Sequence, residues 1–160
     1  MKKQLSLFVT LTSLSSLNVY SSSQDSVRSV LSDGKLQDNT KAIDFFESEL
    51  NFTVNPYGVS QAIKEKKDIV IIDVRSEKDF AKGHIPGAVN VSYDKHGNFN
   101  GSETEFNELR KDVVNYIYCY DLLCNLATRA CLKFALLGYP VKEIKGGFEA
   151  WRKDNYPVTK

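Results

Sequence analysis

Cys119 closes an apolar run at residues 112–120 (DVVNYIYCY), and a helix-like stretch begins a few residues later. In a parallel α/β sheet, chemistry gathers outside the carboxyl ends of the strands. There the amides of a following helix N-terminus stabilise a thiolate or an incoming anion. Cys119 is therefore the first candidate nucleophile, and Cys124 is a partner that could resolve or replace it. Cys131 shares a helical face with Ala127, Ala135 and Gly138 and reads as a small packed residue. Three cysteines this close together, with only His84 and His96 beside them, give neither a disulfide framework nor a metal-ligand spacing. One disulfide, Cys119 to Cys124, stays open if the chain is exported. No cofactor or metal is implied.

Other polar residues cluster on the same rim. Tyr120 and Asp121 follow Cys119 directly, and no cation comes before Arg129, so these three are the candidate substrate contacts on the loop. A carboxylate at the mouth repels a dianion by on the order of 1 kcal/mol or more in a partly solvated site. Asp73 and Arg75 end the β-branched run at residues 68–74 (DIVIIDV). Arg75 either attracts an anionic substrate or pairs with Glu77 or Asp79, and pairing is favoured because a buried guanidinium needs a carboxylate. His84 precedes Ile85-Pro86-Gly87-Ala88 and is expected to hydrogen-bond that turn rather than serve as a base. Gly146 and Gly147 allow a close turn, with Trp151 packing beneath the helix that follows.

Strands and short helices alternate around these residues. Helical spacing is expected at 41–50, where Ile43, Phe46 and Leu50 share a face, and at 56–66, which starts on Pro56. Residues 52–54 suit an edge strand, and 68–74 suits an inner parallel strand buried on both faces. A short helix at 76–82, stopped by Gly83, leads to a strand at 89–92 and a loop at 93–101. Ser102 and Glu105 form a capping-box pattern ahead of Phe106 and Leu109. Beyond Cys119, a helix at 126–137 closed by Gly138, a strand at 141–144 and a helix at 147–154 complete the series. This alternation predicts an α/β fold with a parallel sheet covered by helices on both faces.

With 21 basic and 20 acidic side chains and no basic cluster, nothing points to nucleic acid or an anionic membrane. Residues 1–22 read as a signal peptide: Lys2 and Lys3, then a short leucine-rich stretch diluted by Ser and Thr, too short for stable membrane insertion. That predicts a periplasmic or secreted protein, with a cytoplasmic one as the alternative. Residues 23–40 read as a flexible linker and 41–160 as one domain, its core at about 59–158.

Three segments resemble the rhodanese (sulfurtransferase) family: IVIIDVRSEKDFAKGHIPGAVNV at 69–91, the strand ending in Cys119, and GYPVKEIKGGFEAW at 138–151. Residues 45–59 (FFESELNFTVNPYGV) are similar to the lead-in of single-domain members whose active loop holds two cysteines. The resemblance implies a rhodanese-like fold, a central parallel sheet of about five strands, and transfer of a sulfane sulfur through a cysteine persulfide. The implied partners are a small sulfur donor or a persulfide-bearing protein, and a thiol or cyanide-like acceptor. Thiosulfate is a doubtful donor here because Asp121 stands where relatives place cations. In the commoner family pattern a short loop runs from the nucleophile to an Arg or Thr at the helix start. CNLATR gives that spacing to Cys124 and Arg129, whereas Cys119 has the strand-end position, so both thiols remain in play with Cys119 preferred. A catalytically silent module for protein binding or thiol redox sensing is the alternative. A phosphatase of related fold is disfavoured by the bulky, acidic YDLL at 120–123.

Overall fold

A computed structural model describes residues 28–30 and 36–160. The expected signal segment, 1–22, lies outside the described residues. The chain divides into two compact units, Met1–Phe46 and Glu47–Lys160. In the first, β1 (Arg28–Val30) pairs antiparallel with β2 (Leu36–Asp38), two short strands within the stretch read as linker. Helix α1 (Thr40–Phe52) begins here and ends in the second unit. Its expected apolar face is not a buried one: Ile43, Phe46 and Leu50 are 38%, 63% and 78% exposed, and α1 buries no residue. Helical spacing of apolar residues specifies a face but not what covers it.

The second unit holds β3 (Thr53–Val54), α2 (Pro56–Lys64), β4 (Val70–Asp73), α3 (Glu77–Lys82), β5 (Ala88–Asn90), β6 (Asn115–Tyr118), α4 (Leu126–Leu136), β7 (Val141–Ile144) and α5 (Gly147–Lys153). The five strands are all parallel in the order β3-β7-β6-β4-β5, so β6 is central and carries Cys119 just past its end. Side chains alternate across a strand. Ile72, Val74, Ile117 and Cys119 accordingly pack on one face with Ala127, Ala130 and Phe134 of α4. On the other face Ile71 and Tyr118 pack with Val59, Ile144, Phe148 and Trp151, beneath α2 and α5.

Capping residues fix where the helices begin. Asn55 accepts the Gly58 amide at 2.9 Å ahead of Pro56, and Ser76 accepts the Asp79 amide at 3.2 Å at the start of α3. The pattern at Ser102 and Glu105 starts no helix. Phe106 and Leu109 are buried from a loop instead, and the Tyr139 hydroxyl takes the Phe106 N–H at 3.1 Å and meets its carbonyl at 3.2 Å. With those backbone groups satisfied by a side chain, the segment needs no helical hydrogen bonds.

Candidate active site

The carboxyl end of β6 is held from two sides. Leaving the strand, the chain turns at Cys119 and Tyr120, whose carbonyls accept the Phe148 and Glu149 amides of α5, both at 2.9 Å. This contact requires glycine at 147: φ is +56°, and a Cβ there would sit 2.6 Å from the Cys119 carbonyl oxygen and 3.0 Å from the Asp121 nitrogen. Gly146, at φ +74°, completes the turn, and a Cβ on it would meet that of Ala150 at 2.6 Å. Trp151 is buried below, with its indole N–H on the Pro157 carbonyl at 2.7 Å.

Cys119 is only 2% exposed. Its Sγ lies 3.2 Å from the Cys124 carbonyl oxygen and 4.0 Å from that of Asp121, so the sulfur is placed to donate its proton. Burial, with the Cys124 thiol alongside, pushes the Cys119 pKa up to about 12, against the pull of the Ala127 and Tyr120 amides. The loop is not a cup of amides all aimed at one sulfur. Its Leu123 and Cys124 amides donate to Asp121 Oδ1 at 2.8 and 3.1 Å. Cys124 is half-buried and borders a cavity of about 240 Å³ with Asp121, Thr128, Glu143 and Lys145. All three cysteines are free, so the Cys119–Cys124 disulfide considered from sequence is not formed. Cys131 is half-buried against the α4 side of the core, and burial raises its pKa.

Arg75 pairs, but with neither of the expected acids. Its Nε and Nη2 grip Asp73, the shortest contact being 2.6 Å, and Nη2 also reaches the Gly83 carbonyl at 2.7 Å. Asp73 is fully buried and Arg75 is 4% exposed, with the guanidinium stacked 4.0 Å above the Phe148 ring. Burial opposes the charge, and the hydrogen bonds that Arg75 donates to Asp73, with the charge of that carboxylate, outweigh it, leaving the Arg75 pKa raised. The pairing follows from strand geometry: two residues apart, Asp73 and Arg75 leave the chain on the same side. Asp79 instead takes Lys82 at 2.6 Å and the Tyr120 hydroxyl at 2.8 Å. Hydrogen bonds from Lys82, Ser76 and Tyr120 hold its carboxyl below the usual range.

Arg75, Tyr120 and Asp121 line a second cavity of about 850 Å³ together with Phe148, Glu149 and Arg152. Arg129 lines neither cavity and is exposed on α4. His84 does not bond the turn that follows it. Its Nδ1 lies 3.0 Å from the Phe80 carbonyl oxygen one helical turn back, and its ring stacks on Phe80 at 3.9 Å. That carbonyl also accepts the Gly83 amide at 3.0 Å at the end of α3, so the imidazole is its second partner. Sequence reasoning passed over Tyr118, whose buried hydroxyl accepts the Ile85 amide at 3.2 Å. Asp79 was considered only as a partner for Arg75, although Ser76 and Asp79 show a readable capping spacing.

A strand-end thiol, the buried Asp73–Arg75 pair and a double glycine packed under the loop correspond to the segments that carried the resemblance. The rhodanese-like domain profile matches residues 57–154. The chain belongs to the rhodanese-like domain family. A crystal structure of a Bacillus halodurans protein is 32% identical to this rhodanese-like chain with a TM-score of 0.62, covering 74% of this chain and 84% of that one. The sulfurtransferase of Allochromatium vinosum is 24% identical over 107 residues, 66% of this chain and 92% of the relative. The adenylyltransferase and sulfurtransferase UBA4 of Candida albicans is 30% identical over 106 residues, 64% of this chain but only 24% of its own length. This chain therefore spans about a quarter of that relative. No described helix is long and apolar enough to cross a membrane.

Proposed function

We propose that this rhodanese-like domain moves a sulfane sulfur through a persulfide on Cys119, with Cys124 as the thiol that relieves or replaces it. The observation that carries this reading is the position of Cys119 just past the carboxyl end of the central strand, on the loop that leads into the N-terminus of α4. In the transfer, the Cys119 thiolate attacks the outer sulfur of a donor R–S–SH. A new S–S bond forms, the donor's S–S bond breaks, and R–S⁻ leaves with the electron pair, so nothing is oxidised or reduced overall. An acceptor thiolate or cyanide then takes the outer sulfur and returns the Cys119 thiolate. A protein-bound persulfide fits the loop better than thiosulfate: Asp121 adds negative charge, and Leu122 and Leu123 are 76% and 94% exposed on the loop, an apolar contact for a protein donor.

The alternative, a silent module for partner binding or thiol redox sensing, is favoured by the burial of Cys119 and its pKa of about 12. Mass spectrometry after incubation with a peptide persulfide separates the two. The expected result is one added sulfur atom on Cys119, discharged by cyanide, absent in Cys119→Ser and retained in Cys124→Ser. An adduct lost only in Cys124→Ser moves the carrier to Cys124. No adduct on any cysteine leaves the silent module.

A further inference from the structure

Asp121 is half-buried and borders both cavities beside the loop. Its Oδ1 takes the Leu123 and Cys124 amides at 2.8 and 3.1 Å, two of the donors that an anion entering the loop would need. Among the described residues no lysine or arginine forms an ion pair with it, and several cations in its cavities are engaged elsewhere. Lys145 pairs with Glu49 at 3.2 Å, Lys82 with Asp79 at 2.6 Å and Arg75 with Asp73 at 2.6 Å. Arg152 and Lys160 also line the larger cavity and can draw an anion toward it. At the loop itself, that anion meets amides already filled by a carboxylate.

We propose that Asp121 is a resident anion that sets donor specificity: by occupying the Leu123 and Cys124 amides, it bars free dianionic donors from the loop and leaves it to donors that do not need those amides. The inference rests on the sulfur-transfer reading. For thiosulfate the balanced step is Cys119–S⁻ attacking the outer sulfur, with the S–S bond breaking and sulfite leaving with the electron pair. That step brings the sulfonate oxygens to a loop whose Leu123 and Cys124 amides already donate to Asp121 Oδ1.

Two variants separate charge from occupancy. Asp121→Asn keeps an oxygen for the two amides and loses the charge, whereas Asp121→Ala loses both. With cyanide as acceptor, the ratio of the thiosulfate rate to the rate with an uncharged peptide bearing a persulfide is expected to rise about tenfold in Asp121→Asn and further in Asp121→Ala. A readout independent of turnover is an NMR titration of each full chain with thiosulfate. The Leu123 and Cys124 amide resonances are expected to stay fixed in wild type and to shift in Asp121→Ala, while the remaining dispersion reports an intact fold. Unchanged donor ratios in both variants, or unmoved Leu123 and Cys124 amides in Asp121→Ala, overturn the role of Asp121. A wild type that turns over neither donor overturns the sulfur-transfer reading instead, and the titration still decides whether Asp121 guards the amides.

Discussion

Asp73→Asn tests the buried pair on which the rim of the site is built. The carboxylate is fully buried and accepts the Arg75 backbone N–H at 2.9 Å in addition to the guanidinium contacts. The asparagine keeps the shape but removes the charge and turns an amide toward Arg75, a cation only 4% exposed that has no other acid to hold it among the described residues. Breaking a buried pair by removing one partner costs about 3–5 kcal/mol, because the surviving charge is left in the interior. The Gly83 carbonyl and the Phe148 ring keep some contact with Arg75, which places the expected loss near the lower end, about 3 kcal/mol. A domain of ordinary stability, about 5–15 kcal/mol, survives that loss and stays measurable. Urea unfolding followed by fluorescence of Trp151, the single tryptophan and itself buried, reads the change directly. At an ordinary m-value the midpoint falls by roughly 1 M or more. Asp73→Leu combined with Arg75→Met removes both charges and is expected to cost less than the two single changes added together. A loss under about 1 kcal/mol in Asp73→Asn, or simple additivity in the double variant, would refute the account of the pair as a buried, mutually dependent unit.

Cys119, with its pKa pushed from 9.0 to about 12, is expected to react with iodoacetamide at neutral pH about a thousandfold more slowly than an ordinary thiol, with an inflection near 12 rather than 9. Peptide mapping of the alkylated cysteines across pH measures this, and an inflection at or below 9 contradicts the buried-thiol geometry. The same raised pKa has a consequence for stability. Below pH 9 both states hold the proton and the contribution is complete; between 9 and 12 the unfolded thiol ionises first and the contribution is lost, so stability is expected to fall over that window. Gly147→Ala places a Cβ 2.6 Å from the Cys119 carbonyl at φ +56°, and is expected to cost about 1–3 kcal/mol while disturbing persulfide formation. A variant with wild-type stability in urea would mean that the loop does not rest on this glycine.

Much of the scaffold was legible in the sequence because its signals are local. The β-branched run at 68–74, Pro56 at a helix start, Gly138 after α4 and the double glycine at the start of α5 each act through the backbone preferences of a few neighbouring residues, and each appears where expected. The placement of Cys119 at a strand end followed from the same reasoning. What the sequence could not determine depends on residues that only folding brings together. Arg75 was expected to find Glu77 or Asp79, but those acids stand on α3, while Asp73 shares its strand end and its burial. Phe106 and Leu109 showed helix-like spacing, yet the Tyr139 hydroxyl, 33 residues from Phe106, satisfies the backbone that a helix would otherwise have satisfied. The protonation of Cys119 was also closed to inspection. It is set by how deeply the end of β6 is buried and by the carbonyls that meet the sulfur, while Asp121 takes the Leu123 and Cys124 amides of the loop for itself. Periodicity and turn chemistry are encoded within short segments of chain, whereas charge pairing, burial and hydrogen-bond allocation depend on distances that exist only after the strands are aligned.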